Sequence, residues 1–549
     1  MEWRSALRTT LAAGVFSILS SAVLAEDAPA PAVDPNYNTN NLGETFFTRF
    51  VNYYKLEWGH EAGPSDPSAP AGRREGWNQP VNAPPYPFID WPYGGTSTLG
   101  ANRTASVDSP LMAALAPSPL GKTMGDWGIQ AYGWVAAGGN LSTNTQKGGN
   151  SPGAYYYEPN RFDLDQAVLY IERTPDTVQK DHIDWGFRVS AIYGSDYRYT
   201  TAYGLASYQL LEKNNVQGYD FPMMYGEIFV PQILDGFMVR VGRFIALPDI
   251  EAQLAPNNYM YSHSLGYTFD NYTNTGVQLS QAINKNWIVQ FGLSVGSDTM
   301  PWDAFAKIKN PAPTVQYLGQ TIVNPLYPNA TMYRDPGAIP SYTGCVRWNS
   351  DTGGDNVYVC GDALNSGIWG YNNLQWIGGT YFHKFNDQWH IGIETWNIHL
   401  NKVPNANNPE VQAINAQGGT PFSTSNPFNG INANAPNMAQ CPHVTQLTCT
   451  THTEMVLTYL NYQFSKLDNL SYRAEFFDDY QGQRTGTKTR YMETGFGWQH
   501  WFSPQIEVRP EVTFYRSFDA PAFNANNETG APPNRNNALI VSSDLIWHF

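Results

Sequence analysis

The last twelve residues, 538–549, read ALIVSSDLIWHF, and their alternation restricts the fold more than any other feature of the chain. Leu539, Val541, Leu545, Trp547 and Phe549 fall on one face of a strand; Ser542, Asp544 and His548 fall on the other. Runs of this kind recur along most of the sequence, at lengths near those needed to cross a bilayer at a tilt. In hydrocarbon every backbone polar group must be paired within the protein. Strands can therefore span a membrane only as a closed barrel.

Composition agrees with that solution. Charged residues make up 14% of the 549 positions, against roughly 25% in soluble domains. Aromatics are also 14%, with 34 Tyr and 17 Trp, yet mean hydropathy is only −0.41. Beyond residue 25 no run approaches the ~18 apolar residues of a membrane helix. A secreted, loop-rich β-protein shares this composition, so the connections must decide between the two. Residues 1–25 have the form of a secretory signal: Arg4 and Arg8 make a basic start, 11–24 is mostly apolar, and Val23, Leu24 and Ala25 form a cleavage site. The net charge of −15 argues against a nucleic-acid partner and weakly favours cations in any pore.

Residues 26–125 differ in character. They open on APAPAVDP and include PPYPFIDWPYGG at 84–95, and proline supplies no ladder donor. Only 45–58 could hold a short helix or strand. This segment is expected to be an extension in the periplasm or threading the lumen. From 126 to 549 the pattern gives about fourteen strands (12–16): 127–137, 162–173, 183–193, 224–230, 237–244, 275–283, 287–295, 374–385, 389–399, 454–464, 470–478, 490–502, 506–516 and the closing strand. Long connections at 138–161, 194–223, 245–274, 296–373, 400–453, 479–489 and 517–537 alternate with short ones. That is the signature of an up-and-down antiparallel barrel with long extracellular loops and short periplasmic turns. Pro510 predicts a bulge or break in its strand.

Cys345 and Cys360 are near neighbours in sequence, as are Cys441 and Cys449. In an oxidising compartment two local disulfides, Cys345–Cys360 and Cys441–Cys449, are the natural pairing. A zinc site from Cys441, His443, Cys449 and His452 fits less well, because the spacer matches no standard finger.

GDWGIQAYGW at 125–134, VRVGRFIALPDIEAQLAPNN at 239–258 and YTNTGVQLSQAINKNWIVQFGLSVG at 272–296 resemble the putative β-barrel porin-2, OmpL-like family. The end on Phe549 also resembles the closing strand that marks outer-membrane barrels for insertion. The resemblance implies a bacterial outer-membrane location and a porin-type function. Its motifs are strand and turn texture, and they carry no catalytic residues across.

With the apolar faces against lipid, Arg188, Arg240, Glu394, Arg473, Glu475, Glu507, Arg509 and Glu511 face the lumen. Such charges either set a transverse field that sorts solutes or simply pair with one another as solvated wall. The stretch 245–271, with Asp249 and Glu251, either folds inward as a constriction or stays outside as another loop. No H-E-x-x-H or P-loop occurs, and the two G-x-S-x-G strings, at 149–153 and 292–296, fall in a long connection and at the end of the strand 287–295 where it runs into another, not at the strand-to-helix turn a nucleophile elbow needs. The expectation is therefore a passive diffusion channel for small hydrophilic solutes, not an enzyme, with no cofactor and no metal. Its partners would be outer-membrane lipid and the barrel-assembly machinery, and the pattern is compatible with a homo-oligomer. The alternatives are a non-conducting barrel whose disulfide-bridged surface loops bind a ligand or partner, and, further off, an outer-membrane hydrolase.

Overall fold

Sixteen antiparallel strands close on themselves, each bonded to its neighbours in sequence and the last bonded to the first. They are β1 Gln130–Ser142, β2 Phe162–Arg173, β3 Asp184–Gly194, β4 Gly218–Val230, β5 Phe237–Ile245, β6 Thr273–Ala282, β7 Trp287–Ser297 and β8 Ser341–Asn349. There follow β9 Asp355–Leu364, β10 Gln375–Lys384, β11 Trp389–Pro404, β12 Thr448–Ser465, β13 Asp468–Asp479 and β14 Thr489–Ser503. β15 runs as Ile506–Val508 and Glu511–Ser517, broken at Pro510, and β16 is Asn537–His548. The computed structural model describes residues 42–57, 99 and 109–549, apart from 154, 212, 214, 247–248, 304–306, 310–311, 329–331, 335–338, 371–372, 420–437, 466, 504 and 527. The signal-like segment 1–25 and the Pro/aromatic stretch 84–95 lie outside the described residues.

The strand count is sixteen, inside the expected range of 12–16 but above the expected fourteen, and the two added strands are β8 and β9, which lie inside what the sequence suggests is one long loop. Their alternation is present: Tyr342 and Val346 point outward while Ser341, Thr343, Cys345 and Arg347 are buried on the inner face. Cys345 and Cys360 sit directly opposite each other in this hairpin, so their disulfide crosslinks the barrel wall and does not stiffen a surface loop. Cys441–Cys449 ties the connection between β11 and β12 to the first residues of β12.

Long connections leave from one end, at 143–161, 195–217, 246–272, 298–340, 365–374, 405–447, 480–488 and 518–536. The other end carries shorter turns. Outward side chains form an apolar belt that includes Val241, Phe291, Val359, Ile377, Phe496 and Val541, all more than a third exposed. Trp185, Trp287, Trp389 and Trp498 mark its short-turn edge. An exposed apolar surface of this extent, rimmed by Trp, matches a hydrocarbon slab bounded by an interface.

The described part of the extension packs at the same short-turn end. α1, Phe46–Glu57, sends Tyr54 Oη to the carbonyl of His548 at 2.7 Å, and Phe50 lies edge-on to Trp547. α2, Pro110–Leu115, and α3, Pro119–Asp126, each begin with a Ser cap followed by Pro, the pairing that pre-forms a helix start. Ser109 caps α2 and also donates to the carbonyl of Ala131 at 2.7 Å, tying the extension to β1. Arg49 Nε donates to the carbonyl of Ala113 at 2.9 Å and joins α1 to α2.

Candidate functional site

After β5 the chain turns into the barrel. Every described residue from 249 to 272 except Ile250 is buried. The segment is rich in Asn, Ser and Tyr, so its backbone and side chains can bond to a polar inner wall. Glu475 on β13 accepts from the amides of Leu265 and Gly266, at 2.8 and 2.6 Å. Glu511 on β15 accepts from Ser262 N at 3.1 Å, and Glu394 on β11 from Ile250 N at 2.8 Å. Gln166 on β2 donates to the carbonyl of Gln253 at 2.8 Å. The segment is thus held against β11–β16 and β2 by charged acceptors on backbone donors, which are stronger than neutral pairs.

Two arginines grip it from the same side. Arg473 Nη1 donates to Glu251 Oε1 at 3.1 Å and to the carbonyl of Ser262 at 2.6 Å. Arg509 Nη1 donates to the carbonyls of Ala255 and Asn258, at 2.6 and 2.9 Å. His263 Nε2 lies 2.7 Å from the carbonyl of Ala252, and its ring stacks on Tyr155 at 3.6 Å. Burial pushes the His263 imidazole well below its ordinary range, so near neutral pH it is an uncharged donor.

The lumen-facing residues named from the sequence do face inward, but they are not a solvated lining. Arg188 pairs with Glu172 at 2.6 Å and Arg240 with Glu227 at 3.0 Å, each directly across two neighbouring strands. Arg473 pairs with Glu493, and Arg509 with Asp544 at 2.5 Å. Glu507 accepts from Gln499 at 2.7 Å. Opposite charges therefore neutralise one another along the wall. Where the inserted segment covers the wall, at Arg473 and Arg509, it removes water, and an ion left without a partner there would be costly. Sequence reasoning did not single out Glu172, Glu227, Glu493 or the pair Arg243–Asp220. The available signal was strand phase, since each falls on the same alternate positions as the residues it binds.

The inner surface is not covered evenly. Arg473 and Arg509 are 0% and 1% exposed, whereas Arg240 and Gln278, on the wall away from the anchors, keep 9% and 8%.

The family comparison agrees with this architecture. The model of the putative β-barrel porin-2, OmpL-like family matches residues 128–549. No curated protein matches the chain by sequence. Among solved structures, an anion-selective porin from Comamonas acidovorans is similar at 9% identity and a TM-score of 0.42, covering 77% of this chain and 99% of that one. OmpF of Salmonella typhi, in complex with daunomycin, is similar at 9% identity and 0.42, covering 77% and 97%. The outer membrane channel DcaP of Acinetobacter baumannii is similar at 8% identity and 0.38, covering 77% and 97%.

Proposed function

The chain belongs to the putative β-barrel porin-2, OmpL-like family, and on that premise we propose that it is an outer-membrane porin passing small hydrophilic solutes down their gradients. In this reading residues 1–25 direct export, the strand ending at Phe549 is read by the barrel-assembly machinery, and the apolar belt sits in outer-membrane lipid. A ring of sixteen strands is wide enough for an aqueous channel. The observation that carries the reading is the segment 249–272, held inside that ring as a constriction by Arg473, Arg509, Glu475 and Glu511. It fills the side against β11–β16. The path for solutes then runs along the opposite wall, past Arg240 and Gln278. No cofactor is needed: a wet passage lowers the cost of crossing hydrocarbon, and the constriction sets size and charge preference.

Single-channel recording of the purified protein tests this. Arg240→Glu is expected to shift ion preference toward cations, and neutralising Asp249 and Glu251 together to change conductance. A conducting barrel indifferent to both would remove this path. A silent barrel would favour the second reading, a non-conducting barrel whose loops bind a partner; the dense burial of the inner wall is the observation on its side. That alternative now rests on the Cys441–Cys449 loop alone, because the other bridge lies in the wall. Hydrolysis of lipid or glycan by washed protein would instead indicate an enzyme.

A further inference from the structure

Three carboxylates from separate parts of the chain meet inside the barrel. Asp249 lies near the start of the inserted segment, Asp270 near its end, and Glu394 stands on β11. One oxygen of each lies within 4.8 Å of the other two, and all three side chains are buried. Gathering three like charges away from water is strongly unfavourable without a counter-charge.

The side chains around the cluster leave its oxygens without donors. Both oxygens of Asp270, Oδ1 of Asp249 and Oε1 of Glu394 are buried with no hydrogen-bond partner. The second oxygen of Glu394 accepts from Ile250 N, and Asp249 and Glu394 lie within hydrogen-bond reach of each other. Arg484 acts electrostatically on Asp270, but its Nε donates to the carbonyl of Phe269 at 2.8 Å. The charged neighbours of Asp249 include Glu251 and Asp362, which deepen the negative potential. Buried polar atoms almost always find partners, so several orphaned oxygens in one buried acidic cluster call for a counter-ion or ordered water.

We propose that Asp249, Asp270 and Glu394 bind a calcium ion between the inserted segment and the barrel wall. An all-carboxylate donor set selects a hard cation over a thiophilic metal. Calcium suits the set better than magnesium, which demands near-ideal octahedral geometry at short bonds and gives up its water reluctantly. Calcium also tolerates irregular shells of about six to eight oxygens, completed by water, which suits ligands drawn from a loop and a strand. The ion fastens both ends of the inserted segment to β11 and cancels most of the local negative charge. The site stands whether or not the barrel conducts. It was not legible in the sequence, because its ligands are far apart and only folding the segment inward brings them together.

The test uses the full chain, refolded and stripped with a calcium chelator. Terbium luminescence sensitised by the neighbouring tyrosines reports occupancy, and calorimetry with calcium chloride reports stoichiometry and affinity. The expected result is one ion per chain, with a Kd on the order of 10⁻³ M or tighter, and weaker competition by magnesium. Asp270→Asn is expected to weaken binding by roughly tenfold or more, while Asp351→Asn in an exposed turn leaves it unchanged. Asp270→Asn also relieves repulsion, so the barrel is expected to fold, and heat-modified gel migration verifies this. Stripped wild-type protein that takes up neither ion at millimolar concentration overturns the site; a proton shared between Asp249 and Glu394, which approach within bonding reach, would then neutralise the cluster. Wild-type affinity in Asp270→Asn overturns it equally.

Discussion

Arg473 on β13 reaches Glu251 of the inserted segment at 3.1 Å while its Nε holds Glu493 of β14 at 2.7 Å. One guanidinium therefore serves as counter-charge to an acid of the wall and to an acid of the segment that crosses the lumen. Arg473→Met would leave both carboxylates buried without it. The expected cost is about 3–5 kcal/mol, because removing one member of a buried pair strands the other. Urea unfolding in detergent measures the loss, and noisier, larger single-channel currents are expected as the segment leaves its seat. A midpoint equal to wild type would mean that the segment is held by its other anchors alone.

Closure of the barrel depends on a missing side chain. Gly133 on β1 exchanges two backbone hydrogen bonds with Phe549, each 2.9 Å. A Cβ at this position would press on the carbonyl of Val168 and come within 2.7 Å of the Phe549 ring. Gly133→Val is expected to displace the terminal ring and open the seam between β1 and β16. Folding yield of the heat-modifiable form would fall in Gly133→Val and stay normal in Gly353→Ala only if strain at that turn (φ +70°) is also tolerated, so Gly344→Ala, where nothing lies nearby, is the better control.

Acid should loosen the inserted segment through His263. Its folded-state pKa is depressed, so the released form takes up a proton first as pH drops below about 6.5. Arg473 and Arg509 oppose that proton in the seated form, and the Tyr155 and Tyr267 rings enclose the imidazole. Stability of the seat is therefore full above that pH and declines below it. Current noise is expected to rise between pH 7.5 and 5. His263→Gln, which can still donate to the carbonyl of Ala252, should flatten the profile, and an unaltered profile would place the acid response elsewhere.

The two disulfides should behave differently when removed. Cys345→Ala with Cys360→Ala cuts a crosslink within the wall, with an expected loss of up to about 3 kcal/mol in the chain-entropy view. Cys441→Ala with Cys449→Ala releases only the connection between β11 and β12. Its unfolding midpoint should stay near wild type while hydrogen exchange rises around 438–450. Equal midpoints for the two variants would argue that the β8–β9 ladder makes its bridge redundant.

Much of the wall was legible because strand phase survives in a single sequence: Ile183, Trp185, Phe187 and Val189 against Asp184 and Arg188 need no partner to be read. The hairpin β8–β9 was overlooked for a physical reason. Its short strands join through a turn rich in Gly, Asp and Asn and carry a cysteine pair, so SYTGCVRWN passes for a bridged loop although its alternation is intact. The sequence leaves the course of 245–271 open between inward and outward, because the contacts that decide it join residues as distant as Glu251 and Arg473. Strand phase gave the direction of each charged side chain but not its partner or its hydration. Register across neighbouring strands, such as Glu172 opposite Arg188, exists only once the sheet has formed.

The seam between β1 and β16 has a consequence for biogenesis. Trp134 and His548 are partners although almost the whole wall separates them along the chain. Every shorter assembly of these strands carries two unsatisfied margins, and neither can be left facing acyl chains. If the barrel spans the outer membrane as proposed, a chain that loses β16 is expected to go to proteolysis instead of yielding a smaller cylinder.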